Sequence, residues 1–558
     1  MDIALWILII SWVFVLAWVP FIIYSNRKLH PKALFILFFA EMWERFSYYG
    51  MRALLILYMV SELFKDLSNG EAKIEALGIY GSYTAMVYLF PVVGGLLADK
   101  VLGYRKAILF GGTLMMAGHF ALALEGMVFG GNAQLFFLSL AFIIVGNGFF
   151  KPNISSFLGD FYGLNDSRKD GAFTIFYMGV NIGALLASVT CGYLGESADF
   201  GWHYGFGLAG IGMLLGLLIF WIYAPKTLGK KGINPASLEN FPEIIEKDAI
   251  KLLEGSKEDR EIALKVESEN FKEIKNPKLK NNQILTYIGS ILFIPICSLF
   301  LDLSDLVYWG LIIISIGILG YILYLASKEE SREAGQRLWV IVILFIFHSI
   351  FWALFEQAGG SITLFTLENV DRVVLGSEIP TSIFQLLNAF FIMTLAPLFS
   401  IMWIKLRANG KEPSTPMKFV LGLAQLALGF GVIVLAAQFA VEGLVPIVFL
   451  IVMYLFHTTG ELSLSPVGLS MITKLSPKRM VGFIMGVWFL SISLANKMAG
   501  KIGELTAGSN LGENATSIET LEVYSSTYLT WGVFVVGSAA LVLFFLVPTL
   551  RKWMNGIH

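Results

Sequence analysis

Apolar runs of 18 or more residues alternate with short polar loops along the whole chain. A run of that length can cross the hydrocarbon core of a bilayer, about 30 Å, as one helix. The pattern predicts an all-α integral membrane protein with about 15 transmembrane helices. Their predicted bounds are 3–24, 33–62, 76–98, 105–124, 134–161, 172–193, 202–225, 284–301, 304–326, 337–366, 379–405, 417–441, 444–473, 479–503 and 525–549.

The second segment interrupts this apolar pattern with charge. Glu41, Glu44, Arg45, Tyr48 and Arg52 stand 3, 4, 7 and 11 residues along from the first, so on a helix they share one face. Each charge at the centre of a bilayer costs about 2.5–3.5 kcal/mol on the insertion scale. The stripe therefore predicts a water-filled path or buried ion pairs, which is typical of a transporter.

Composition supports the membrane assignment and excludes several functions. Hydrophobic residues make up 56% of the chain and charged residues 15%. The two cysteines, Cys191 and Cys297, lie in apolar segments, where we expect buried thiols and no disulfide. The sequence shows no metal-ligand cluster, nucleophile–base set, phosphate-binding loop or nucleic-acid signature. We therefore expect neither an enzyme nor a cofactor or metal site.

Loop charges predict the orientation. Lysine and arginine concentrate in alternate loops, which the positive-inside rule assigns to the cytoplasm. With an odd number of helices, the amino terminus lies outside and the carboxyl terminus in the cytoplasm, across the inner (cytoplasmic) cell membrane. The first segment lacks the basic start and cleavage site of a secretory signal, so we interpret it as a retained helix. The basic loops lie at 27–32, 100–106, 168–169, 226–231, 328–337, 405–411, 474–479 and 551–552.

One long polar stretch divides the chain. Residues 226–283 are rich in Glu and Lys, and 244–253 and 261–274 have the spacing of amphipathic helices, which favours a solvated linker over a regulatory element. The predicted plan follows from this division. It comprises an extra N-terminal helix (1–30), an N-terminal six-helix bundle (31–225), a cytoplasmic linker (226–283), an inserted helix pair (284–327) and a C-terminal six-helix bundle (328–558).

Six motifs carry a resemblance to known transporters. The glycine-, Asp- and Lys/Arg-containing loop at 94–106 resembles the loop motif of the major facilitator superfamily. Further motifs are similar to those of the proton-dependent oligopeptide transporters, and the likeness spans about residues 33–550. This likeness implies the fold of that superfamily. The leading helix is a departure from the fourteen helices that are usual in the family. These family motifs lie at 41–50 (Glu-x-x-Glu-Arg-Phe-Ser-Tyr-Tyr-Gly), 146–153, 173–183, 351–357 and 460–468.

Charges within the apolar segments differ between the two halves. The second half places the carboxylates Glu356 and Glu461 in its helices, with Lys497 and Lys501 near one end. Across a central cavity, this division would suit a zwitterion, whose termini make charge-assisted hydrogen bonds whatever its side chains. The first half contributes Glu41, Glu44, Arg45, Arg52 and Lys151.

The resemblance implies a role for each residue. Arg52 and Lys151 would bind the peptide carboxylate, Glu461 its ammonium group, and Asn181 and Asn388 its backbone and amino terminus. Glu356 would be the proton site, paired with Arg52 when ionised. Side-chain pockets would be lined by Tyr48, Tyr49, Tyr88 and Trp488. A switching ion-pair group would consist of Glu41, Glu44, Arg45 and Lys151.

The function implied is a proton-coupled symporter that imports di- and tripeptides by alternating access as a monomer in the lipid bilayer. Two alternatives stay open: the same machinery carrying another small anion or zwitterion, and a peptide sensor without transport. Glu461 argues against nitrate as substrate, since nitrate has no ammonium group. Two local questions also stay open: whether Gly359 and Gly360 form a hinge or a close-packing site, and whether His457 tunes Glu461 or is structural.

Overall fold

The computed structural model describes residues 2–163, 166, 168–238, 276–329, 331–477, 480–508, 511 and 515–557, and the predicted linker helices lie outside these ranges. Nearly all of the described chain is helical. The helices are α1 Ile3–Asn26, α2 Lys32–Tyr58, α3 Asn69–Leu97, α4 Tyr104–Phe129, α5 Ala133–Gly159, α6 Lys169–Gly195, α7 Trp202–Thr227, α8 Pro277–Asp302, α9 Ser304–Lys328, α10 Arg332–Phe355, α11 Ser361–Asn369, α12 Leu386–Ala408, α13 Thr415–Ala436, α14 Ile447–Leu475, α15 Val481–Glu504, α16 Ser517–Thr527 and α17 Val536–Trp553.

The membrane class predicted from the apolar runs is confirmed. Within the described ranges, 14 helical segments are long and apolar enough to cross a membrane. Helix α2 is also 27 residues long, and it carries the charged stripe. The protein is therefore a multi-pass membrane protein.

Helices of each half pack mainly on one another. Helix α2 packs on α6 and α7, and α4 on α5 and α7, whereas α13 packs on α14 and α17. Helices α3 and α15 join the two sets, and small residues let them approach closely. A Cβ atom on Gly81 would lie 2.9 Å from the Cα of Gly500. This contact holds the two halves together near the middle of α3 and the end of α15.

The leading helix α1 lies against α6. The Trp12 indole Nε1 donates a hydrogen bond of 3.0 Å to the Thr190 hydroxyl, and the Tyr193 hydroxyl donates one of 2.9 Å to Asp2. Its buried side chains lie along one side of the helix. The sequence predicted a spanning helix here but not its place, because an apolar helix in lipid shows no distinct buried face.

The seventh core segment is broken, which corrects the single helix predicted at 337–366. Helix α10 ends at Phe355, a 3₁₀ turn covers Glu356–Gly359, and α11 begins at Ser361. Gly360 has φ −115° and ψ −103°, a conformation outside the helical region, so the α-helical ladder stops there. The break sets Glu356 in a tight turn at the middle of the protein.

We call the end at which α2 ends and α3 begins the outer end, following the orientation predicted from the loop charges. Four short strands cap it. Val370–Asp371 (β1) pairs in parallel with Val445–Pro446 (β4), and Val373–Val374 (β2) pairs antiparallel with Ser377–Glu378 (β3).

At this outer end the two halves also contact through polar groups. The Glu196 carboxylate accepts hydrogen bonds from the Thr381 and Ser382 backbone N–H groups, at 2.9 and 2.7 Å, and from the Ser382 hydroxyl. Lys73 Nζ lies 2.6 Å from Glu368 Oε1. The structure is thus closed at its outer end.

Candidate functional site

A cavity of about 370 Å³ lies between the two halves near the middle of the helices. Ten of the thirteen predicted site residues line it: Glu41, Arg45, Tyr49, Arg52, Tyr88, Lys151, Asn181, Glu356, Asn388 and Glu461. They come from helices that are distant in sequence, and the fold brings them together around one volume. The cavity therefore combines cationic and anionic groups with aromatic walls.

One charged cluster lies on the α2 wall. Arg45 Nε is 2.9 Å from Glu41 Oε1 and 2.6 Å from Glu44 Oε2, and Asn147 Nδ2 donates to Glu44 at 3.2 Å. The Lys151 ammonium lies 4.1 Å from the centre of the Tyr88 ring. Glu44 is fully buried behind this wall, so it does not line the cavity. The structure brings Glu41, Glu44 and Arg45 together in ion pairs and places Lys151 at the cavity, and the switching role of these four residues stays a prediction.

A second cluster bridges the two halves. The Arg52 Nη2 group of α2 contacts the Glu356 carboxylate of the broken seventh segment, and Arg52 Nε donates a hydrogen bond of 2.6 Å to the Tyr80 hydroxyl. All three side chains are buried. This is the pair predicted for an ionised Glu356. Tyr80 was not predicted, because it lies in an apolar segment outside the quoted motifs.

Glu461 lies on the opposite wall in a different environment. Asn388 Nδ2 donates to Glu461 Oε2 at 3.0 Å and to the Thr458 hydroxyl at 3.2 Å. Within the described residues, no lysine or arginine nitrogen lies within 4.0 Å of this carboxylate. A buried carboxylate with one amide partner is suited to receive a cation from a ligand.

Two predicted lining residues lie outside the cavity in this conformation. Trp488 packs against His348 with ring centroids 4.0 Å apart and the rings tilted by 33°, because both rings lie in the contact between α10 and α15. Tyr48 is buried behind Tyr49, 5.3 Å from it between ring centroids. Their predicted contact with substrate side chains stays a prediction.

Other cavity residues were left open or missed by the sequence reasoning, and His457 is the one left open. His457 lines the cavity beside Glu461, and its ring lies 4.7 Å from that of Phe430. Tyr177 and Trp352 stood inside the quoted motifs at 173–183 and 351–357 and could have been selected as aromatic residues there. Tyr454 precedes its motif and carries no comparable signal. The further lining residues from this group are Tyr177, Trp352, Gln385 and Tyr454.

Gly359 is required for the contact between Arg52 and Glu356. A Cβ atom there would overlap the Tyr80 hydroxyl and lie 2.9 Å from Arg52 Nη2. We therefore expect Gly359→Ala to displace both partners and to reduce the peptide uptake that the sequence predicts at least about tenfold, since small shifts of such groups are costly. Initial uptake rates in proteoliposomes test this. Gly486→Ala, whose Cβ would meet nothing nearer than 3.9 Å, is the matched control, and equal losses in the two variants would contradict the packing role.

Comparison with known proteins identifies the family of this chain. The chain matches the model of the POT family over residues 105–518. It is 36% identical over 536 residues to a peptide transporter, YePEPT, of Yersinia enterocolitica, covering 94% of this chain and 96% of that protein. It is 32% identical over 529 residues to dipeptide and tripeptide permease A of Proteus mirabilis, with coverage of 94% and 96%.

Solved structures give the same result. A crystal structure of the peptide transporter POT in complex with alafosfalin superposes with a TM-score of 0.74 at 34% identity, covering 94% of this chain and 96% of that one. A POT family transporter in complex with 5-aminolevulinic acid gives a TM-score of 0.71 at 29% identity, with coverage of 93% and 97%. The fold described above is therefore the fold of these proteins.

Proposed function

The chain belongs to the POT family of transporters, and from that premise we propose that it imports di- and tripeptides together with protons by alternating access. The observation that carries this proposal is the pair of charged groups on opposite walls of one cavity. Arg52 is held by Glu356, and Glu461 is held by Asn388 without a basic partner in the described residues. The relatives named above transport peptides, and the POT structures above hold small ligands.

The charge division orients the substrate. The peptide carboxylate binds at Arg52 and Lys151, and its ammonium group binds at Glu461 and Asn388. Charge-assisted hydrogen bonds to both termini supply affinity for any short peptide. Asn181 lines the cavity between these poles and can bond to the peptide backbone. The aromatic walls, including Tyr49 and Tyr88, accept varied side chains because their rings are apolar and their hydroxyl groups polar.

Proton coupling follows from the contact between Arg52 and Glu356. Protonation of Glu356 removes its charge and releases Arg52 for the peptide carboxylate. Loss of the proton on the inside restores the ion pair and weakens peptide binding. Coupling requires only that these pairings differ between the two conformations of the transport cycle. The cluster of Glu41, Glu44 and Arg45 beside Lys151 supplies the second set of exchangeable pairs.

The closed outer end gives the alternation a physical basis. Burial raises the pKa of Glu196, which lies just beyond α6, so this carboxyl holds a proton more readily when the outer end is closed. A conformation that binds protons more tightly is favoured as pH falls. The hydrogen bonds from Ser382 and Thr381 lower the pKa of Glu196 but burial outweighs them, so acidification of the outer side favours closure at this contact.

The ion pair between Lys73 and Glu368 offers a test of the conformation that is closed at the outer end. Tyr524 also donates to Glu368, at 3.0 Å, so Lys73→Met leaves a partly buried carboxylate without its cation. We expect the population open at the outer end to rise about tenfold, because an unpaired buried charge is costly. Distances between spin labels at the exposed residues Phe200 and Leu375 measure this population. Lys73→Arg should retain the wild-type distribution, and an unchanged distribution in Lys73→Met would contradict the role of the pair.

We also propose the remaining arrangement on the basis of charge and sequence. The amino terminus lies outside, the carboxyl terminus lies in the cytoplasm, and the protein acts as a monomer in the cytoplasmic membrane. The division into the five segments predicted from the sequence belongs to the same proposal. Cysteine labelling of the two termini in intact cells tests the orientation.

The direct test is uptake of labelled dialanine by the purified protein in liposomes with an inwardly directed proton gradient. Accumulation above the equilibrium level that a protonophore abolishes supports symport. Dialanine binding without uptake would instead favour a sensor. Absence of both would indicate a different anion or zwitterion as substrate, and 5-aminolevulinic acid is the first competitor to try because a POT structure holds it.

A further inference from the structure

A second cavity opens away from the central one, between the inserted helix α8 and helices α3 and α5. We propose that this groove binds one acyl chain of an anionic phospholipid, with the headgroup at the lysines around its inner end. Its volume is about 360 Å³ and its lining is mostly apolar. The inference depends only on the protein's place in a membrane, so it stands whether or not the proposed transport function is correct.

Helix α8 is attached at both ends of the groove and, between them, at Tyr287, whose ring packs on that of Phe110 of α4 with centroids 4.8 Å apart. Near its beginning, Gln283 Nε2 donates to the Val101 carbonyl at 3.0 Å, and Lys106 Nζ donates to Gln283 Oε1 at 3.4 Å. Ten residues further, about 15 Å along a helix, Phe293 packs on Phe90 with ring centroids 5.3 Å apart. The lining residues of α8 lie between these attachments.

The walls of the groove suit a hydrocarbon chain. Gly289 of α8 has open space at its Cβ position, so no side chain from α8 fills the gap there. On the facing side, a Cβ atom on Gly94 would overlap the backbone of Gly148, so α3 and α5 meet closely and form a continuous floor. Leu97 and Leu285 border the inner part. Such an apolar groove within a bilayer is filled by the chain of a lipid rather than by water.

Charge at the inner end selects the headgroup. Lys278 and Lys280 are exposed on the first turn of α8, and Lys100 is exposed just beyond Leu97. Asp99, the acidic residue beside Lys100, is partly buried. Basic clusters beside an opening between transmembrane helices are typical of anionic lipid binding. The combination of an apolar groove and a basic rim therefore favours phosphatidylglycerol or a related lipid over a zwitterionic one.

The groove and the central cavity share helix α5. Phe149 lines the groove and Lys151, two residues later, lines the cavity. A bound acyl chain therefore packs against the helix that positions Lys151. Through this helix, lipid binding would affect transport. This consequence is secondary to binding itself, which is what the experiment measures.

Native mass spectrometry of the full-length protein in detergent, titrated with phosphatidylglycerol or phosphatidylcholine, tests the proposal. We expect at least a tenfold preference for phosphatidylglycerol in the wild type. Gly289→Trp fills the groove and should lower phosphatidylglycerol binding at least tenfold. The control Gly317→Trp lies on α9, where the Cβ position is also open, and should leave binding unchanged.

A charge variant separates the headgroup from the chain. Lys278→Gln combined with Lys280→Gln should remove the preference for phosphatidylglycerol while binding of phosphatidylcholine persists. Equal binding of both lipids by the wild type would mean general annular lipid only and would overturn the proposal. Equal binding by Gly289→Trp and wild type would overturn it as well. Thermal unfolding of each variant in detergent identifies any that is misfolded, and Gly289→Ser then provides a milder substitution.

Discussion

Glu356→Gln should abolish peptide accumulation driven by a pH gradient while leaving peptide exchange across the membrane intact. Glutamine has the size of glutamate but its amide does not titrate, so it resembles the permanently protonated state. Arg52 loses its anionic partner and stays available for the peptide carboxylate. Exchange needs only the movement of the loaded protein, whereas accumulation needs the proton cycle. We expect gradient-driven uptake to fall to the level without a gradient, a loss of about 100-fold or more if the proton step is rate-limiting.

The measurement compares two assays on the same proteoliposomes. The first is accumulation of labelled dialanine with an inwardly directed proton gradient, and the second is exchange of labelled for unlabelled dialanine without one. Glu62→Gln, which removes an exposed carboxylate just beyond α2, is the control and should behave as wild type in both assays. Accumulation that persists in Glu356→Gln would show that another group carries the proton, and loss of both activities would show that the variant does not move.

The sequence predicted the helices well because membrane insertion dictates them. In lipid, each spanning segment satisfies its own backbone hydrogen bonds, so apolar length alone marks α3–α10 and α12–α15. The break after Phe355 was missed because two adjacent glycines, Gly359 and Gly360, are compatible both with a close contact and with a helix end. In the structure Gly360 leaves the helical conformation and Gly359 admits the Tyr80 hydroxyl, so close packing is seen at Gly359, and a hinge at this pair stays a prediction.

The sequence predicted the charged residues of the site better than the neutral ones. A charged residue in an apolar segment is costly, so Arg52, Lys151, Glu356 and Glu461 could be selected one by one. Neutral residues carry no such mark. Tyr80 accepts a hydrogen bond from Arg52, yet nothing in its segment distinguishes it from a tyrosine that only packs.

Trp488 shows the opposite case. The sequence predicted that it lines the cavity, and in the structure it lies outside the cavity. The Trp488 ring packs against His348, which lies 140 residues away along the chain, and no local sequence pattern could indicate this contact. Long-range packing of this kind decides which aromatic rings face a cavity. The sequence determines the set of candidates, and only the fold selects among them.

Glu461→Gln should weaken binding of dialanine about 10- to 100-fold, because hydrogen bonds to a charged partner contribute about 1.5–3 kcal/mol. The glutamine retains an oxygen that accepts from Asn388, so the wall of the cavity keeps its shape. Only the negative charge opposite the peptide ammonium is lost. Titration calorimetry or a thermal-shift titration in detergent gives the dissociation constant.

N-acetyl-dialanine makes this prediction specific, because it has the peptide bonds and carboxylate of the substrate but no ammonium group. The wild type should bind it as weakly as Glu461→Gln binds dialanine, and the variant should bind the two peptides alike. A control places a new carboxylate outside the cavity. Gln425→Glu, added to Glu461→Gln, should not restore dialanine binding if the ammonium binds at position 461, since Gln425 bonds to Ser463 and does not line the cavity. Equal losses for both peptides in the variant would mean that Glu461 only shapes the cavity, and the ammonium would then bind at one of the other two lining carboxylates, Glu41 or Glu356. Binding at Glu356 would have a pH dependence of its own. That outcome would place proton and ammonium in competition for one carboxylate, which would make peptide binding tighten as pH rises and is therefore distinguishable from the mechanism proposed here.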